Sequence, residues 1–323
     1  MRKHTKIFCI LIILAMLIVS AGCLSERDIR SLAERGDAWA QNELGFMYLE
    51  GDGVTQDYEQ AEHWFRLSMA QGNLYAKSNL GYMYLNGLGV TQSYEQAIYL
   101  FRSGAEQGDS WSQNELGFMY SEGIGLPQDF EQTLHWYRLA VAQGNAYSMN
   151  GLGFMYQHGM GLPQNFDQAI YWYRLGAAQD NLFAKSNLGY MYLNGHGLPQ
   201  SYEQAMFWFR LAAEQGDSWS QNELGVMYSN GEGVPVDFDQ AVYWFRLAAE
   251  QGDAMGQYNL GDMYFWGDGV PQDHERAAYW TRLAAEQGHA WAQYDLSYMY
   301  EYGLGVPQDY EQAMYWYNRA LEE

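Results

Sequence analysis

A chain of 323 residues with 39 Asp and Glu against 17 Lys and Arg carries a formal charge of -22. An acidic surface of that size repels phosphate, which argues against nucleic acid as a partner and against electrostatic docking on anionic lipid. Lysine occurs only as Lys3, Lys6, Lys77 and Lys185, so neither a G-x-x-x-x-G-K phosphate loop nor an S-x-x-K acylation motif can be written.

Residues 1–22 read as an export signal. Arg2, Lys3 and Lys6 open it, Ile7 to Val19 is an apolar run too short to span a bilayer comfortably, and small residues close it. Ser20-Ala21-Gly22-Cys23 resembles a bacterial lipobox, with Ser20 where a branched aliphatic residue is usual. That resemblance implies lipidation of Cys23. Leu24, in place of aspartate, then points to an outer-membrane lipoprotein of the cell envelope, facing the periplasm or the surface. Cleavage after Ala21 is the alternative. The only other cysteine is Cys9, so no disulfide or zinc framework is available to the rest of the chain.

Residues 24–36 parallel the second half of the segments that follow and are expected to form an N-terminal capping helix. From Asp37 to Glu323 the sequence repeats. Leu-Gly (Leu-Ser in the last copy) begins at Leu44, Leu80, Leu116, Leu152, Leu188, Leu224, Leu260 and Leu296, always 36 residues apart, followed each time by Met-Tyr and Gly-x-Gly. An uninterrupted period of this length marks a stacked array.

With Asp37 as position 1, helix A is predicted over about positions 2–14 and helix B over about 22–35. Positions 4, 8, 11 and 12 (small, Leu, Met, Tyr) form one helical stripe and the expected core of helix A. Gly at position 9 leaves room for a close helix approach. Helix B opens on Asp, Ser or Asn at position 21 with Gln at 24, the spacing of a capping box, from which Arg276 departs. Its expected core is Ala at 25, Trp at 28, Leu at 31 and a small residue at 32. Gly72 and its equivalents suit a left-handed cap, which Asp180 replaces in the fourth repeat at an expected strain of up to about 1 kcal/mol. Arg319, standing where Leu is usual in the last helix, reads as part of a polar terminal cap.

The pattern L-G-x-M-Y-x-x-G-x-G-V/L-P-Q-D-Y-E-Q-A-x-x-W-F-R-L-A-A-E-Q-G-D resembles the Sel1-like repeat family, a relative of the tetratricopeptide repeats, over all eight copies. The resemblance implies an all-α, right-handed α-solenoid of eight helix-turn-helix repeats with a terminal half-helix cap. It also implies a concave face lined by A helices and protein–protein recognition as the work. Cysteine-rich members described as penicillin-binding exist, but this chain has neither those cysteines nor their S-x-x-K motif. A second periodicity lies inside the first. Ser110 to Gly117 recurs identically at Ser218 to Gly225, an offset of three repeats, so near-identical surface patches are expected to recur.

Catalysis finds no convergent titratable groups, and no enzyme, cofactor or metal is expected. His63 and His135 share position 27 two repeats apart, about 20 Å at roughly 10 Å per layer. Asp52 and Asp57 lack the alternating acids of a calcium loop. The arginines at position 30 read as helix-end cations near Glu106, Glu214 or Glu250 one turn on, with an anion-binding ladder as the alternative.

The candidate partner-binding residues are aromatic. Position 3 reads Trp39, Tyr75, Trp111, Tyr147, Phe183, Trp219, Met255, Trp291, and position 10 reads Phe46, Tyr82, Phe118, Phe154, Tyr190, Val226, Asp262, Tyr298. The two positions project within about 20° of each other on a helix wheel, away from the Leu/Met stripe. Glu43, Asn79, Glu115, Asn187 and Glu223 at position 7 border them. These rings are either packing between neighbouring A helices or an exposed groove. In repeats seven and eight, Tyr258, Trp266, Tyr294 and Tyr302 add rings around Trp291 and Tyr298. The expected function is a non-enzymatic envelope scaffold that binds a protein or peptide, favouring a basic one, in an acidic aromatic groove. A glycan or peptidoglycan binder is the alternative.

Overall fold

The computed structural model describes residues 24–322, and the signal segment with Cys23 lies outside them. Among the described residues every regular element is an α-helix. The chain divides between Gln179 and Asp180 into two compact units. The first holds α1 (Glu26–Glu34), α2 (Ala38–Glu50), α3 (Tyr58–Ala70), α4 (Leu74–Asn86), α5 (Tyr94–Glu106), α6 (Ser110–Glu122), α7 (Phe130–Ala142), α8 (Ala146–His158) and α9 (Phe166–Ala178). The second holds α10 (Leu182–Asn194), α11 (Tyr202–Ala213), α12 (Ser218–Asn230), α13 (Phe238–Glu250), α14 (Ala254–Trp266), α15 (His274–Glu286), α16 (Ala290–Tyr302) and α17 (Tyr310–Leu321). Even-numbered helices are A helices and odd-numbered ones are B helices, with α1 standing as a B helix before the first repeat.

Each A helix packs on its own B helix and, within each unit, on the B helix before it. A helices also touch the next A helix (α2 on α4, α6 on α8, α12 on α14), which places them on the tighter, inner side of each unit's stack.

The termini follow from local chemistry. Asp or Asn at position 1 accepts the backbone N–H of position 4 in repeats one to seven, as in Asp37 with Ala40 at 2.8 Å. In the last repeat, His289 does this through Nδ1. The glycines at positions 15 and 17 are both left-handed, and at position 17 space imposes the same choice: a Cβ on Gly125 would stand 2.4 Å from Tyr94 Cβ. Position 21 caps helix B as expected, but half of the predicted box is missing. The cap oxygen accepts from the backbone of the next turn, and no B helix after α1 shows the returning bond from position 24. Another glutamine does the bracing. At position 20, Gln56 donates to the Leu49 carbonyl at 2.8 Å, and six further repeats copy it.

Asp180 is the one non-glycine residue with positive φ among the described residues, at 65°. Its carboxylate accepts hydrogen bonds from Lys185 and from Gln215, which offsets the backbone cost of that conformation.

The core differs from the expected one in helix B. Position 29, absent from the predicted stripe, carries the deepest rings: Phe65, Phe101, Tyr137, Tyr173, Phe209 and Phe245 are all buried. Each lies on the bare Cα of position 9 in its own A helix, where an added Cβ would meet ring carbons at 2.8 Å or less. The predicted position 31 is more open than the rest of the stripe, exposed at Leu67 and Leu139 and half-buried at Leu175, Leu211, Leu247 and Leu283. The buried arc therefore runs through positions 25, 29, 32 and 33, with Trp at 28 on its flank. Position 11 is buried from Met83 to Met299, whereas Tyr at 12 is mostly half-buried.

Neighbouring repeats are joined by polar ladders. The arginine at position 30 donates to the Tyr at position 12 one repeat on, as in Arg66 to Tyr84 (2.7 Å), Arg210 to Tyr228 (2.8 Å) and Arg282 to Tyr300 (2.9 Å). This gives those arginines a structural role in place of the predicted pairing with a glutamate one turn on. Position 5 glutamines donate to the position 33 carbonyl of the preceding element and accept from the glutamine at 35, as in Gln41 with Ala33 and Gln71. Each such bond is worth about 1 kcal/mol.

Arg319, at position 31 of the last helix, is exposed. On α17, Met314 and Leu321 are 58% and 68% exposed, although their equivalents in earlier repeats are largely buried.

Candidate protein-binding face

The structure leaves the rings of positions 3 and 10 in solvent or at the edge of the core. Trp39, Tyr75, Phe118, Tyr147, Phe154, Phe183, Trp291 and Tyr298 are exposed, while Phe46, Tyr82, Trp111, Tyr190 and Trp219 are half-buried. None is fully buried. The half-buried rings line the core edge, where Phe46 and Tyr82 rest on the cluster around Phe65 and Leu80.

Some of these rings meet. In the first unit Trp111 and Tyr147 stand edge to face at 5.6 Å. In the second, Trp219 lies 6.0 Å from Tyr190 and edge-on to Phe209 at 5.4 Å.

The C-terminal rings make short local contacts. Trp266 donates its indole N–H to Asp262 at 2.9 Å on the same helix, and Tyr258 stacks on His289 and donates to Asp295 at 3.1 Å. Tyr298 lies against Tyr302 at 4.6 Å, while Tyr294 approaches Tyr317 at 6.2 Å and Trp291 projects into solvent.

The acids at position 7 are held in a repeated polar arrangement. Asn114 Nδ2 donates to Glu115 at 3.0 Å, and the Asn114 carbonyl oxygen accepts from Ser148 at 2.8 Å. In the first repeat the chain runs Asn79 to Asn42 to Glu43, and in the sixth Asn259 to Asn222 to Glu223. Because each asparagine oxygen is taken, its amide N–H is committed to the carboxylate.

Desolvation raises the pKa of Glu43, Glu223 and Asp295, the asparagine or tyrosine hydrogen bond opposing it only in part. Burial is greatest at Glu115, whose pKa is pushed up to about 7. Asp262 is raised in the same way.

No cation answers these acids. Among the described residues no arginine lies on an A helix, and the two A-helix lysines are engaged elsewhere, Lys77 with Ser103 and Lys185 with Asp180. Nor do three His, Cys, Asp or Glu side chains converge on a common metal position among the described residues. No helix among them is long and apolar enough to cross a membrane.

Two features escaped the sequence reading. The asparagine donors at position 6 (Asn42, Asn114 and Asn222) and the burial of the adjoining acids depend on neighbouring repeats. A second ring row, Tyr99, Tyr171, Phe207, Tyr243, Tyr279 and Tyr315 at position 27, stands exposed on the B helices. Most of these rings lie edge-on to the position 28 tryptophan. Its signal was the recurrence of aromatic residues at one position of helix B.

Comparison with known proteins agrees with this architecture. The pattern of the Sel1 repeat matches at residues 40–73, 74–109, 112–145, 146–181, 183–217, 220–253, 254–289 and 292–323. A protective antigen of uropathogenic Escherichia coli strains with an SLR fold is 39% identical over 91% of this chain (TM-score 0.68), and the chain spans 63% of that protein. A Sel1 repeat protein from Oxalobacter formigenes is 31% identical, with 96% of this chain and 95% of that one covered and a TM-score of 0.63. No curated protein matches the chain.

Proposed function

Because the chain belongs to the Sel1 repeat family, whose members are generally protein-interaction scaffolds, we propose that it is a non-enzymatic scaffold that holds a protein partner on the inner, A-helix face of each unit. The observation that carries this reading is the aromatic row at positions 3 and 10, which stays in solvent or at the edge of the core. The acids at position 7, with no cation beside them, favour a basic segment as the occupant.

Trp111→Ser combined with Trp219→Ser tests the face. Trp111 is half-buried and Trp219 packs on the edge of the Phe209 cluster, so circular dichroism should show helicity nearly intact with at most a modest fall in melting temperature. An affinity pull-down from envelope extract should lose a partner that the wild type retains. Retention of that partner by the folded variant would move the interaction off this face. Recovery of cell-wall polysaccharide with altered Trp fluorescence, and of no protein, would replace the scaffold with a glycan binder.

The same proposal places the protein on the cell envelope through a lipid on Cys23, supported by the charged, apolar and small-residue order of residues 1–22. Cys23→Ala should abolish acylation and release the protein from membranes. Unchanged membrane partitioning would refute the anchor.

A further inference from the structure

The three-repeat duplication places one copy of the segment Ser-Trp-Ser-Gln-Asn-Glu-Leu-Gly in each compact unit, at Ser110 to Gly117 and at Ser218 to Gly225. The two copies fold alike. The tryptophan is half-buried in both, beside a ring from a neighbouring repeat, Tyr147 in the first unit and Tyr190 in the second. In both, the asparagine is locked by a donor from the following repeat and turns its amide onto the glutamate four residues after the tryptophan. The glutamate of each thereby has one oxygen satisfied, and no donor among the described residues reaches the other.

The surroundings withhold a counter-ion while supplying everything else that a cation recognises. Glu115 is 9% exposed, and the phenol rings of Tyr82, Tyr137 and Tyr147 lie within its electrostatic reach. Glu223 is half-buried, with Glu232 and Asp253 near enough to add negative potential. An ammonium or guanidinium entering either place would meet a free carboxylate oxygen, and at Glu115 phenol rings as well. Chloride, phosphate or a second carboxylate would be repelled.

We propose that Glu115 and Glu223 are two copies of one socket, repeated at Glu43 through its Asn79–Asn42 chain, each taking a single Arg or Lys side chain of the partner, so that one chain holds at least two such side chains at once. This deepens the scaffold reading and rests on it. The sockets are unequal. Glu115 is the more desolvated and gains more from a charge partner, whereas Glu223 draws cations by the stronger local field. Two copies of a short cationic segment, or two such segments of one partner, would be held with the gain that bivalency brings.

The test uses the purified chain and a short capped peptide with a central arginine between leucines. Its twin carries citrulline, the neutral isostere of arginine. Calorimetry should give at least two arginine peptides per chain, a third falling to Glu43, with the citrulline peptide at least about tenfold weaker at each site. Glu115→Gln should remove one site, Glu223→Gln a second, and the double variant both, whereas Glu115→Asp should keep its site. One site per chain, no binding at millimolar peptide, equal binding of the citrulline twin, or unchanged binding by the Gln variants would each overturn the sockets. The pull-down separates this from failure of the scaffold reading. A partner lost with Trp111→Ser and Trp219→Ser but kept by Glu115→Gln with Glu223→Gln leaves the face standing and removes the sockets. A partner kept by both pairs removes the face as well.

Discussion

Replacing Gly189 with alanine should lower stability by about 2 kcal/mol, read as a shift in the urea midpoint. Gly189 sits at position 9 of α10, where the new Cβ would stand 2.5, 2.6 and 2.9 Å from Cδ1, Cε1 and Cγ of Phe209. Real carbon contacts are far longer, and Phe209 is fully buried, so the ring must shift against a packed interior. Two effects oppose each other. Alanine favours helix over glycine by about 1 kcal/mol, while overpacking a tight core costs about 3 kcal/mol or more. The clash wins. The last repeat shows the same conflict resolved the other way, since Ser297 occupies position 9 and the position 29 ring, Tyr317, is 41% exposed. Phe209→Leu should be less harmful in the Gly189→Ala background than alone, as a double-mutant cycle would read. An unchanged or raised midpoint for Gly189→Ala would mean the helices can part at no cost.

The same glycine explains why much of the fold was legible and part of it was not. Helix A was expected over positions 2–14, and the structure has it there, because Asn/Asp caps and Gly-x-Gly stops act within one turn of chain. That position 9 admits a neighbour was also readable, since a missing side chain at a fixed helical register has few other uses. Which residue enters the gap was not. Trp at 28 and Leu at 31 have the right spacing, and Trp has the greater bulk, yet Phe or Tyr at 29 takes the place, because the angle between the helices of a pair selects the facing side chain. Pattern alone carries no such angle. The candidate face divides in the same way. The aromatic row and its bordering acids could be listed from periodicity, whereas their exposure could not. Glu115 and Asn79 occupy equivalent positions and read alike as polar residues beside a stripe. Only the stacked neighbours make Glu115 the most deeply desolvated acid of the row, with Tyr137 and Tyr147 near enough to feel its charge.

Glu115→Gln is expected to make the free protein more stable at pH 8 by as much as about 3 kcal/mol, while removing a cation site. The sign follows from the direction of the pKa. Burial raises the folded-state value to about 7 from 4.5. For a carboxyl raised in this way, the stability associated with its protonated form is fully present below pH 4.5 and is lost as pH rises through about 7, because the unfolded chain ionises more readily than the folded one. Above pH 7 the wild type therefore holds a costly buried charge that glutamine does not, and the Asn114 bond to the Oε1 position can persist in the variant. Near pH 4.5 the two proteins should unfold at nearly the same urea concentration. The difference should open between pH 4.5 and pH 8, with Glu115→Asp following the wild type. A variant less stable than wild type at pH 8, or a difference that does not vary with pH, would show that the charge is compensated in the free chain. A carboxylate that destabilises its own fold is retained where binding uses it. Mutating a purely structural residue would not improve stability and abolish ligand capture together, and that pairing is the result by which Glu115 is to be judged.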